Sequence, residues 1–100
     1  MIVGYLPEAE LRIEAVDAWW RENRPAARQL FREELEAAIA RALVAPLAVG
    51  VVYASIKGMR VRRTLLTKTC QHLYYSVDEE ADELLIHAVW GAARGRGPTL

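Results

Sequence analysis

The stretch "HLYYSVDEEADELLIHAVWGAARGRGP", residues 72–98, decides the fold. Two runs rich in aromatic and β-branched residues flank an acidic turn, which reads as an exposed β-hairpin. The second run empties into a small-residue tail carrying Arg94 and Arg96. Side chains alternate between the two faces of a strand. Leu73, Tyr75 and Val77 therefore read as core, and His72, Tyr74 and Ser76 as a half-open face. In the last strand Leu84, Ile86, Ala88 and Trp90 fall on one face, and Leu85, His87, Val89 and Gly91 on the other. Both sets are mostly apolar, as in a central strand, and strict alternation puts Trp90 on the core side.

Upstream, "MRVRRTLLT" after Gly58 supplies a third strand. It sets Arg60, Arg62 and Thr64 against Val61, Arg63 and Leu65. Charged groups are seldom buried unpaired, so helices are expected over Val61 and Leu65, with Arg60 and Arg62 on the open face beside His72 and Tyr74. Residues 45–58, "APLAVGVVYASIKG", are bounded by Pro46, Gly50 and Gly58 as a loop would be, yet "VGVVYASI" also suits a short strand.

The first half is helical. "IVGYL" forms a short edge or inner strand, and Pro7 suits the first turn of a helix. Over residues 8–23, Leu11, Ala15, Val16, Trp19 and Trp20 recur at helical spacing, with Glu8, Glu10 and Glu14 near the positive end. Trp19 and Trp20 are adjacent, so a helix cannot bury both equally. Pro25 stops this helix. A second runs from about Pro25 to Val44 with Leu30, Phe31, Leu35, Ala38, Ile39, Ala42 and Leu43 in one stripe. The order of strand, helical hairpin and further strands defines an α+β domain, with the helices packed on a small, mainly antiparallel twisted sheet.

One hundred residues suffice for a single core and one domain. No apolar run approaches the roughly 20 residues that span a bilayer, and the N-terminal stretch lacks the pattern of a secretory signal; a cytoplasmic location is expected. Cys70 is the sole cysteine, which excludes an intrachain disulfide and a cysteine zinc site. It reads as a buried filler, and no metal or cofactor is expected. The formal net charge is zero, but residues 37–77 hold six cations and no acid, whereas residues 78–83 hold five acids. That middle segment is a basic patch suited to an anionic partner.

Taken in order, "AVDAWWRENRPAA", "RPAARQLFREELEAAIARAL", "GMRVRRTLL" and "LYYSVD" followed by "AVWGAARGRGP" resemble the RelE/ParE superfamily of bacterial type II toxins. The resemblance covers nearly the whole chain. It implies a toxin neutralised by a cognate antitoxin, in one branch by inhibiting DNA gyrase and in the other by cleaving messenger RNA on the ribosome. It further implies that Arg62, Arg63 and Arg94 or Arg96 would serve RNA cleavage, and that Arg60, Arg62, Tyr74, Arg94 and Arg96 would meet the antitoxin or target. Cleavage through a 2′-hydroxyl needs proton transfer and stabilisation of negative charge on oxygen. The tail here has no tyrosine, and glycine stands at position 91 where many relatives carry histidine. With a sequence pI of about 6.7 and an even helical hairpin, the gyrase-inhibiting branch is the favoured expectation. Cleavage of messenger RNA is the alternative, and an inactive antitoxin-binding member is a third.

Overall fold

A computed structural model describes residues 1–100 apart from the side chain of Arg94. One of the expected functional cations therefore lies outside the described residues. The chain runs β1 (Ile2–Tyr5), α1 (Pro7–Asn23), a short 3-10 turn (Pro25–Ala27) and α2 (Leu30–Val44). It continues through β2 (Val51–Ile56), β3 (Met59–Leu66), β4 (Gln71–Asp78) and β5 (Glu83–Gly91), then a 3-10 turn at Ala92–Arg94. The five strands form one sheet in the order β1-β5-β4-β3-β2, with β1 parallel to β5 and all other pairs antiparallel. This is the expected α+β architecture. The segment left open between loop and strand contains β2, joined to β3 by a two-residue turn in which Lys57 and Gly58 both have positive φ (49° and 81°). Such a turn matches the twist of a hairpin.

Pro7 opens α1 with Glu8 and Glu10 in its first turn, and Arg21 sits in its last. These charges complement the helix dipole. The chain leaves the helix at Arg24, ahead of Pro25, and the second helix starts only at Leu30. α2 buries the expected stripe of Phe31, Leu35, Ala38, Ile39 and Ala42. α1 does not follow its expected stripe. Its buried side is Ala9, Ile13 and Asp17, with Val16 and Trp20 partly covered. Leu11 is 72% exposed and Trp19 46% exposed. Hydropathy alone misled here, because α1 meets the core through Ala9, Ile13, Val16 and Trp20 while Leu11 and Trp19 face away.

The core lies between the helices and one sheet face, built from Leu66, Leu73, Tyr75, Leu84, Ile86 and Val89. Among the described residues Asp17 is the one carboxylate or cation buried with it. It accepts from Arg21 Nε (3.1 Å) and Arg32 Nη2 (3.3 Å), and the same Arg32 nitrogen reaches Glu14 (3.2 Å), which ties α1 to α2. Burial alone would raise the Asp17 carboxyl, but hydrogen bonds from Arg21 and Arg32, aided by their charges, outweigh it and hold the pKa below its ordinary value. A second clasp joins α2 to the turn between β3 and β4. The Glu34 carboxylate accepts from Lys68 N (2.7 Å), Thr69 N (3.0 Å) and Thr69 Oγ1 (2.7 Å).

One residue changes the expected faces of β5. Tyr74 pairs with Ala88 while Tyr75 pairs with Ile86, so β5 carries His87 as an extra residue. This β-bulge inverts the alternation beyond it. Val89 joins Leu84 and Ile86 in the core. Ala88 and Trp90 pair with Tyr74 and His72 and share the opposite face. The core position expected for Trp90 is thereby corrected. Cys70, expected to be buried, is exposed at the end of the β3–β4 turn with φ 56°. Among the described residues no helix is long and apolar enough to cross a membrane.

Candidate functional site

The arginines of β3 divide between the two sheet faces, opposite to expectation. Arg62 pairs with Tyr75 and Arg63 with Tyr74. Since Tyr75 belongs to the core, Arg62 and, two residues back, Arg60 stand on the helix side. The rule that charges avoid burial did not allow for the partners waiting there. Arg62 donates from Nη2 to the carbonyls of Leu47 (2.9 Å) and Gly50 (3.0 Å), and from Nε to that of Val49 (3.4 Å). The Tyr75 hydroxyl lies between the carbonyls of Pro46 (2.8 Å) and Val49. Burial raises its pKa, with Arg62 partly opposing, so the group remains a donor. Arg62 and Tyr75 together pin the segment between α2 and β2. Arg60 is exposed and lines a cleft of about 580 Å³ that also contains Asp78, Glu79 and Glu80.

The open face carries a different set. The Arg63 guanidinium lies 5.0 Å from the centre of the Tyr53 ring, a cation–π contact. Tyr53 meets Tyr74 edge-on at 4.9 Å, and Tyr74 meets His72 edge-on at 6.1 Å. These residues form a row across β2, β3 and β4. Burial, then the neighbouring positive charge of Arg63, lowers the His72 pKa. Its ring is neutral near pH 7, with one nitrogen free to accept a proton. Further along the same face Ser76 Oγ and His87 Nε2 lie 2.8 Å apart, and burial lowers the His87 pKa.

The C-terminal tail crosses this face. Trp90 Nε1 donates to the carbonyl of Arg96 at 2.8 Å. At Gly97 the backbone presses so closely on the Tyr53 hydroxyl that an added Cβ would clash. Pro98 and Thr99 line a small cavity with His87, Ala88 and Trp90. The face expected to be half-open is thus largely closed, with Tyr74 only 1% exposed and Ser76 and His87 buried. Arg63, His72, Tyr53, Leu65 and Arg96 remain partly or fully accessible.

Of the expected site residues, Arg63, Tyr74 and the tail at Arg96 come together, and Arg60 and Arg62 lie on the other face. A single platform joining all these arginines does not form among the described residues. Tyr53 was missed because the β2 segment was not resolved between loop and strand. Its aromatic ring beside "VV" was the available signal.

A helical hairpin on a twisted sheet whose one parallel pair joins its first and last strands is the RelE-like α+β fold. Among solved structures the chain is similar to the isolated RelE toxin of E. coli, with a TM-score of 0.57 over 95% of this chain and 87% of that one. Sequence identity is 19%, so the likeness concerns the fold alone. No protein-family model and no curated protein sequence matches the chain.

Proposed function

We propose that this protein is the toxin of a type II toxin–antitoxin module, neutralised by a cognate antitoxin and acting by protein–protein contact, with DNA gyrase as the target. The fold and the ordered sequence resemblance support the toxin class. The observation that carries the mode of action is the state of the open face. Tyr74, Ser76 and His87 of that face are buried, and Arg62 is engaged by backbone carbonyls on the far side. An RNA-cleaving face needs such groups free for the phosphate and the 2′-hydroxyl. A binding face needs only accessible anchors, which Arg63, Tyr53, Leu65 and Arg96 supply.

The test is induction without antitoxin, combined with a supercoiling assay using purified protein. Growth arrest with loss of supercoiling supports the proposal. Growth arrest with intact supercoiling and cleaved messenger RNA transfers it to the RelE-like alternative. Harmless overexpression leaves an inactive, antitoxin-binding member.

One observation favours that alternative. His72, neutral near pH 7, lies in the same row as Arg63. His72 would take the proton of the 2′-hydroxyl as its oxygen bonds to phosphorus, and Arg63 would stabilise charge on the phosphate. The P–O5′ bond would break, the leaving 5′-oxygen taking a proton from water, and a 2′,3′-cyclic phosphate would remain. Arg63→Ala and His72→Ala variants that cleave as fast as wild type would end this second reading.

A further inference from the structure

The two edges of the sheet end differently. β1 is four residues long, its Met1 ammonium lies 3.4 Å from Asp82, and Pro7 turns the chain straight into α1. β2, at the other edge, runs for six residues, Val51–Ile56, without a charge or a proline. Among the described residues no hydrogen bond other than those to β3 reaches its backbone. An unpaired row of N–H and C=O groups is a template for a further strand, and proteins guard it with charge, proline, shortness or a bulge. β1 is guarded by its shortness and its terminal charge. β2 has only a bulge at Tyr53, and that bulge prepares the edge for a partner. Val51 and Val52 are exposed here, and Leu47 is exposed on the segment leading in.

In the pairing with β3, Val51 lies opposite Arg63 and Val52 opposite Arg62, then Ala54 opposite Val61, Ser55 opposite Arg60 and Ile56 opposite Met59. Residues directly opposed in an antiparallel pair share a sheet face. Val51, Ala54 and Ile56 therefore lie on the open face with Arg63, and Val52 and Ser55 on the helix side with Arg62. Tyr53, the extra residue, turns its ring to the open face against Tyr74. The order of faces is the same from either end: open, helix, open, open, helix, open. A second β2 laid antiparallel can overlap all six residues, with Val51 opposite Ile56, Val52 opposite Ser55 and Tyr53 opposite Ala54. Each of these pairs shares a face. The edge is also held in place beforehand. Arg62 donates to the carbonyls of Leu47, Val49 and Gly50, and Tyr75 to that of Pro46. The segment entering β2 is thus ordered before any partner arrives, which lowers the entropic cost of association.

We infer that two copies of this chain associate through β2, edge to edge and antiparallel about a two-fold axis near Tyr53 and Ala54, which joins their sheets into one. The self-matching order of faces selects a second copy as the occupant. Charge agrees with that choice. Lys57, the first charge beyond the strand, would stand opposite Gly50 of the second copy. The two Lys57 ammoniums would lie about 20 Å apart along the strands, beyond a screening length of about 8 Å. β2 itself carries no charge by which to select a foreign strand of opposite sign. The joint is small, a strand about 20 Å long with a few apolar side chains. Contacts of that size hold weak, concentration-dependent complexes.

The inference goes beyond the toxin reading and does not depend on it. The test is sedimentation equilibrium of the full chain from about 5 to about 500 µM at physiological salt. The mass should rise from 11.3 kDa toward twice that value, and amide exchange in β2 should slow as concentration increases. Val52→Lys puts two like charges about 10 Å apart on one side of the joint, and should weaken association about tenfold or more. Leu11→Lys, the same kind of change on the exposed side of α1, should leave association unchanged. An unchanged circular dichroism spectrum confirms that both variants fold. A monomer mass at every concentration, association that survives Val52→Lys, equal loss in Leu11→Lys, or a dimer whose β2 amides exchange no more slowly would each overturn the inference. A concentration-dependent dimer that neither arrests growth nor blocks supercoiling would sink the toxin reading and leave the joint standing.

Discussion

Replacing Asp17 with alanine removes the only charged residue that α1 buries, together with its two arginine contacts. A buried hydrogen bond to a charged group stabilises by about 1.5–3 kcal/mol. Here the arginine side chains remain 40% and 30% exposed, and solvent screening reduces each contact to about 1 kcal/mol. Alanine's better helix propensity offsets about 0.5 kcal/mol. The net loss is about 1.5 kcal/mol, a drop in the urea midpoint of about 1 M at a slope near 1.5 kcal/mol per M. The pH dependence has a definite sign. Asp17 has a depressed folded pKa, below 3.8. Its stabilisation is present above the unfolded value, near 3.9, and disappears as pH falls through the folded one. Urea titrations at pH 7 and at pH values descending below 4 should show the midpoints of wild type and variant converging. Equal midpoints at pH 7, or a gap that widens on acidification, would refute the reasoning.

Three further outcomes are expected. Arg62→Ala should cost about 1–2 kcal/mol by freeing carbonyls of residues 47–50, read as a lower urea midpoint, whereas Arg63→Ala should stay within about 0.5 kcal/mol of wild type. Removing residues 96–100 should uncover His87, Trp90 and the Tyr53 hydroxyl, seen as faster amide exchange in β5 with the helices unchanged. Wild type should be less stable at pH 5 than at pH 7.5, because burial lowers the His87 pKa and the unfolded chain gains its proton first, from about pH 6.5 downward. That difference should shrink in His87→Gln, as measured by thermal melts at both pH values.

The elements of this fold were legible because their signals are local. Pro7 and Pro25 punctuate α1, the Phe31 to Ala42 stripe fixes the inner side of α2, and the acidic turn after Asp78 marks the last hairpin. The site was less legible because facing depends on parity, and parity carries no memory across an inserted residue. His87 offers no sequence signature of a bulge, so Trp90 was assigned to the wrong side. Arg60 and Arg62 were misplaced by a sound generalisation that lacked one fact, the cluster of carbonyls presented by residues 47–50. Trp19 and Leu11 look like core by hydropathy alone. Only the packing of Ala9, Ile13 and Trp20 shows which side of α1 turns inward and leaves Leu11 and Trp19 outside.

The pairing of Ile2–Tyr5 with Glu83–Ile86 joins two strands about 80 residues apart in the sequence, the second made well after the first. During synthesis, at roughly 5–20 residues per second, the helical hairpin can assemble early. The sheet gains its final neighbours only once β5 has emerged. Closing so long a loop is also a slow step in refolding. The nascent chain therefore passes through a period in which its helices exist without the finished sheet, and any activity that needs that sheet waits until β5 has been made.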